Sequence, residues 1–185
     1  MGDIQDAIET ALQGAQTRPL PKSPAARMRV LTRAERGSTR AVATRLGVSP
    51  RTVQRYLAGQ TRTPTPRLAA ALEREARRSW QPRVRARAIR QAARAGITVE
   101  TRARFGFTAA GGSTDDPRLR RVTEQLAPDD TAQLLAAHQA GADEARLRQL
   151  LGNGLGFAYF RDRGSRAHDL DVDLTDIDYL DVDLP

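Results

Sequence analysis

TRAVATRLGVSPRTVQRYL, residues Thr39–Leu57, decides the reading of this chain. Two closely crossing helices need a small residue at the crossing, a residue tolerant of positive φ in the turn, and aliphatic residues at the buried positions of both. Ala43 is the small residue and Gly47 the turn, while Val42, Leu46, Val48, Val53 and Tyr56 or Leu57 take the buried spacing. Ser49 is placed to cap the second helix, and Pro50 falls at its first position, where a missing N–H removes no hydrogen bond. The stretch predicts a helix-turn-helix. In that motif the second helix enters the DNA major groove with its N-terminal side chains at base edges. Arg51, Thr52, Gln54 and Arg55 are the candidates there, because a guanidinium matches guanine O6 and N7 and a glutamine amide matches adenine. Arg40 and Arg45 of the first helix join them as DNA contacts, and some of the set will hold phosphate without reading sequence. The alternative is the same motif used for packing alone.

Charge supports the DNA reading. The chain has 185 residues, 30 Lys+Arg against 22 Asp+Glu, and a formal net charge of +8. Between Arg18 and Arg104 stand 22 basic residues and four acids (Glu35, Glu73, Glu75, Glu100), whereas Asp169 to Pro185 holds seven Asp and no base. That asymmetry suits a polyanion-binding front and a second role behind it. Cysteine is absent, which excludes disulfides, thiolate metal sites and cysteine nucleophiles. His138 and His168 lie too far apart in sequence to suggest a metal site, and His138 reads as structural or exposed. No apolar run approaches the roughly 18 residues of a membrane span. The acidic N-terminus lacks the order of a signal peptide. These features predict a soluble cytoplasmic protein with no membrane partner.

Outward from the motif, Ile4, Ile8 and Leu12 mark a short amphipathic helix, and the prolines of Arg18–Pro24 break it. A helix follows from Ser23 to about Glu35. After Pro66, Leu68, Leu72, Ala76 and Trp80 repeat at four; Pro82 interrupts, and Val84, Ala88 and Ala92 resume until Gly96. Arg83, Arg87, Arg90 and Arg94 share one face of that last helix as candidate phosphate contacts, with Arg74, Arg77 and Arg78 upstream. Ile97–Ala109 reads as a strand, Pro117 to about Leu126 as a helix, and two further helices follow before Gly152–Gly156 (GNGLG) closes the second. Phe157–Arg161 reads as a strand, and the tail alternates Asp with Leu, Val or Ile, which suggests a strand with Asp on one face. The expected fold is α+β: an N-terminal helix and linker (1–22), a helix-turn-helix domain with its Arg-rich helix (23–96), a smaller α+β domain (97–168) and an acidic tail (169–185).

No catalytic constellation is visible, since GNGLG has neither the spacing nor the lysine of a phosphate-binding loop. One loop stands out. Ala109–Pro117 (AAGGSTDDP) sets two hydroxyls, Ser113 and Thr114, between Gly111 and Gly112 on one side and Asp115 and Asp116 on the other. Locally, Thr114 or Asp116 reads as the N-cap of the helix expected from Pro117. The other reading is a hydroxyl presented to another protein's active site.

The succession of basic helix-turn-helix, Arg-rich helix, Gly-Gly-Ser-Thr-Asp loop and Asp-alternating tail (DVDLTDIDYLDVDL) resembles the telomere terminal proteins of linear Streptomyces chromosomes and plasmids. The likeness spans essentially the whole chain, and its second half and tail make it specific. It implies a protein joined covalently to the 5′ ends of a linear replicon. There a protein hydroxyl replaces a primer's 3′-OH, and a DNA polymerase joins the first deoxynucleotide to it with release of pyrophosphate. The position matching the family's acceptor is Thr114, with Ser113 as its neighbour; Asp115 and Asp116 orient the loop or a metal, or cap a helix. The resemblance further implies a primer rather than an enzyme, with no tightly bound cofactor and Mg²⁺ supplied through the polymerase. Its partners would be the telomeric 3′ overhang, duplex ends, the polymerase and a companion telomere-binding protein, on nucleoid DNA at replicon ends. The second reading is a helix-turn-helix transcriptional regulator whose C-terminal half dimerises. A metal-dependent nuclease ranks third, because nothing organises the carboxylates.

Overall fold

Four hydroxyls start four helices. In the computed structural model, which describes residues 4–109, 114–160 and 170–185, Ser23, Ser38, Ser49 and Thr65 each accept from the backbone N–H three residues on. They open α2 (Pro24–Ala34), α3 (Thr39–Leu46), α4 (Pro50–Leu57) and α5 (Pro66–Ser79), following α1 (Ile4–Gly14). Gly47, at φ +65°, ends α3 in the left-handed region expected of it. Met28, Leu31, Val42, Ala43, Leu46, Val53, Tyr56, Leu68 and Leu72 form one core among α2 to α5. These helices belong to a compact unit, Gln16–Val84.

The second unit comprises Met1–Ala15 and Arg85–Pro185. It contains α1, most of α6 (Pro82–Ala95), strands β1 (Ile97–Ala109), β2 (Thr114–Leu126) and β3 (Leu170–Asp183), and helices α7 (Pro128–Gln139) and α8 (Glu144–Leu155). The strands make an antiparallel sheet in the order β2-β1-β3, with Ile97 opposite Leu126 and Val99 opposite Val182. One sheet face buries Ile97, Val99, Ala103, Phe105, Val122, Leu174 and Ile177 in a core shared with α1, α7 and α8. The other carries exposed Arg102, Arg104, Arg121, Asp173, Asp181 and Asp183.

The fold is α+β as expected, with several corrections. Residues 117–126 form a strand, not a helix, so neither Thr114 nor Asp116 caps a helix there. Tertiary pairing decides this segment: β1 supplies a hydrogen-bonding partner from Phe105 to Ile97, and Pro117 is tolerated on an edge strand. Phe157 to Phe160 belong to a π-helical turn, Gly156–Phe160, that prolongs α8, rather than to a strand; Arg161 lies outside the described residues. Of the glycines expected to stop α8, Gly152 and Gly154 sit inside it and Gly156 begins the π-helical turn. A Cβ on Gly152 would stand 3.0 Å from Val172 O, and one on Gly154 would stand 3.0 Å from Leu126 Cδ2. They permit close packing.

The units also divide differently from the expected boundaries. Residues 4–15 join the sheet unit instead of forming a separate N-terminal segment, and the division falls inside α6 rather than at Gly96. The sheet unit is the larger of the two. The acidic tail is its third strand, with Asp alternating outward as predicted and a bulge where Asp176 turns to φ +46°. There Arg102 pairs with Asp178 at 3.4 Å and Arg104 with Asp176 at 3.3 Å.

Candidate nucleic-acid interface

Val53 and Tyr56 hold α4 by its inner face, at 0% and 3% exposure, which leaves Arg51, Gln54 and Arg55 outward and exposed. Tyr56 Oη donates to Thr63 O (3.2 Å), tying the following turn to the same helix. Exposed Arg62 lies in that turn and exposed Arg67 in the first turn of α5. Both were missed in the sequence, because single arginines in a polar stretch carry no pattern. Thr52 is half-buried, and its hydroxyl lies 2.9 Å from Ser49 Oγ, so it serves the cap. Arg40 is exposed on α3.

Arg45 is engaged within the helical unit. Its Nε donates to Glu75 Oε2 (2.6 Å), its Nη1 to Glu35 Oε1 (3.1 Å) and its Nη2 to Ser79 Oγ (3.0 Å), so the guanidinium joins α3 to the end of α2 and to α5. The upstream arginines are likewise engaged: Arg77 with Glu73, and Arg74 and Arg78 with Glu75. Trp80 donates from Nε1 to Arg18 O (2.9 Å), with the Arg18 guanidinium 5.8 Å from its ring centre.

Burial raises the Glu75 carboxyl, but the hydrogen bond and charge of Arg45, with Arg78 and Arg74, outweigh it and hold the pKa below the ordinary glutamate value. A depressed carboxylate stabilises the fold fully above its unfolded pKa, about 4.3, and loses that contribution as pH falls through the folded value. Unfolding of the helical unit, followed by the single Trp80, is expected to become easier below about pH 4. Glu75→Gln is expected to cost about 2 kcal/mol at pH 7, between exposed and fully buried pairs, and to flatten that acid limb. An acid limb unchanged by the substitution would assign the effect elsewhere.

On α6, Arg83, Arg87, Arg90 and Arg94 are all exposed, Arg83 in its first turn and the other three within the sheet unit. Of the expected acceptor loop, Gly111, Gly112 and Ser113 lie outside the described residues. Thr114 opens β2 opposite Thr108, with Asp115 opposite Phe107 and Asp116 next in the strand. His138 is structural: its side chain is 8% exposed, with Nε2 3.4 Å from Glu9 Oε1. Among the described residues no group of three or more His, Asp or Glu could hold a metal ion, and no helix is long and apolar enough to cross a membrane.

No curated protein and no solved structure matches the chain. A helix-turn-helix family model matches residues 31–80, from the end of α2 to the residue after α5. The chain carries a DNA-binding helix-turn-helix domain.

Proposed function

We propose that this chain is a terminal protein of a linear replicon, holding DNA through α4 and accepting the first deoxynucleotide on Thr114. The observation that carries the reading is the position of Thr114. It starts β2 at the loop end of the β1–β2 ladder, opposite Thr108, away from the Ile97–Leu126 end that leads into α6 and α7. A hydroxyl at that end suits delivery into a second protein's active site. The resemblance in residue order and tail composition supports the same assignment, with Ser113 as the neighbouring acceptor.

In this reaction Thr114 Oγ1 attacks the α-phosphorus of a deoxynucleoside triphosphate. A phosphodiester forms, the bond to pyrophosphate breaks, and the hydroxyl proton passes to a base of the polymerase. Mg²⁺ supplied by the polymerase would stabilise the charge on the transferring phosphate. Asp115 and Asp116 orient the acceptor segment. The protein would reside on nucleoid DNA at replicon ends, with the 3′ overhang, a DNA polymerase and a companion telomere-binding protein as partners.

The test is incubation of the chain with labelled deoxynucleotide, Mg²⁺, an overhang template and an extract supplying polymerase. Label is expected on the denatured protein, absent in Thr114→Val and retained in Ser113→Ala. Loss only in Ser113→Ala would move the acceptor by one residue. The family match to residues 31–80 equally favours a transcriptional regulator with a C-terminal dimerisation domain. Absence of label together with tight binding to a paired duplex operator would select that reading.

A further inference from the structure

A cationic surface in the sheet unit adjoins an apolar one. Arg87, Arg90 and Arg94, spaced three and four apart on α6, border an open concavity of about 350 Å³ with Gln91 and Ala95. All three are exposed, and among the described residues no carboxylate pairs with them. Arg85 of the same helix contrasts with them, because its guanidinium is held by Glu9 at 2.6 and 2.9 Å. Gln91 donates to Pro185 O (3.0 Å), so the end of the chain borders this face.

Ala95 also lines a second concavity of about 260 Å³, beside Leu126, Ala127, Pro128 and Phe157. Leu126 is buried and floors it, whereas Phe157, on the π-helical turn, leaves 37% of its surface in water. Few large apolar side chains are this exposed among the described residues, and this one adjoins a row of unpaired guanidinium groups. Helical rise of about 1.5 Å per residue repeats the arginines roughly every 5 Å, on the scale of successive phosphates.

Charge alone would serve any nucleic acid. The apolar concavity discriminates: a duplex keeps its bases stacked inside and presents only phosphate, whereas an unpaired strand offers a base face beside each phosphate. We propose that the Arg87–Arg90–Arg94 face of α6 and the adjoining Phe157 concavity bind unpaired DNA, phosphates on the guanidinium groups and one base against Phe157. The site uses no residue of α4 and does not involve Thr114, so it stands or falls separately from the helix-turn-helix and from priming.

The test is fluorescence anisotropy of the full chain with an oligothymidylate and with a hairpin duplex, over a range of salt concentrations. Phe157→Ala is expected to weaken oligothymidylate binding about tenfold and leave duplex binding unchanged. Phe157→Leu, which keeps apolar bulk without a ring face, is expected to weaken it as well and covers the case where alanine impairs folding. Replacing Arg87, Arg90 and Arg94 together by Gln is expected to lower the salt slope for the oligonucleotide by about 2. Gln54→Ala with Arg55→Ala is expected to weaken the duplex alone, by about tenfold or more. Unchanged oligothymidylate affinity in folded Phe157 variants would overturn the proposal. So would duplex binding that falls in parallel in the arginine variant, or a preference for oligouridylate over oligothymidylate.

Discussion

Removing residues 1–15 is expected to unfold the sheet unit and leave the helix-turn-helix folded and bound to DNA. Ile4, Ile8 and Leu12 are fully buried in the core that holds the sheet. Burying three such side chains contributes about 6 kcal/mol, comparable with the whole net stability of an ordinary domain. Polar anchoring adds to it. Glu144, in the first turn of α8, accepts from the backbone of Ile4 (2.8 Å) and of Gln5 (3.4 Å), and Gln5 donates to Ala142 O (3.0 Å). Further along α1, Glu9 receives both Arg85 contacts and lies beside His138. Deleting the helix strips water-excluding cover from the sheet core and leaves Arg85 without its carboxylate. The helical unit has its own core with no residue in common, so Trp80 fluorescence and duplex affinity are expected to survive. Hydrogen exchange of β1 amides reads the sheet unit directly, and native protection there in the shortened chain would sink the prediction. Ile8→Ala, at about 3 kcal/mol, tests the same point with a milder change.

What the sequence discloses follows how local the determinants are. The helix-turn-helix is legible because its caps, Ala43 and Gly47 act within twenty residues of one another. The tail is legible because a period of two survives in composition, with Asp173, Asp181 and Asp183 outward against buried Leu174, Leu180 and Val182. Period alone announces that Ile4, Ile8 and Leu12 bury a face; that Glu144 receives the helix is not written nearby. In β2 the inward positions paired to Phe105, Ala103 and Val99 are Arg118, Arg120 and Glu124, so only Val122 and Leu126 carry the strand signal. Pairing to β1 overrode a segment whose own pattern was ambiguous. The pairing of Arg45 was hidden for a related reason: counting charge cannot reveal that Glu35 and Glu75 fold back onto it. The α6 surface was half visible. Its arginines share a helical face in the sequence, but the concavity beside them needs Leu126, Pro128 and Phe157 brought together from three segments.

Gly96→Ala is expected to cost the sheet unit about 4 kcal/mol, while Gly47→Ala costs the helical unit only about 1. Both glycines close a helix in the left-handed region, Gly47 at φ +65° and Gly96 at φ +84°, so the conformational part of the penalty is shared. Their surroundings differ. A Cβ on Gly47 would meet nothing within 4 Å, whereas one on Gly96 would lie 2.2 Å from the carbonyl oxygen of Leu126. That oxygen is backbone and cannot swing aside as a side chain can. Leu126 pairs with Ile97 at the open end of the β1–β2 ladder, and Pro128 begins α7 two residues later. Relief of the clash therefore means moving the ladder, the start of α7, or the end of α6 where Gly96 N–H donates to Ala92 O (2.8 Å). Each movement disturbs buried Ile97 and Leu126, whose packing would supply much of the loss. Equal penalties at the two glycines would remove the steric argument and leave conformation alone. A larger penalty at Gly96 also predicts a functional consequence, because Ala95 and Leu126 shape the concavity beside Phe157. Under conditions where Gly96→Ala remains folded, its oligothymidylate affinity is expected to fall while duplex binding through α4 holds.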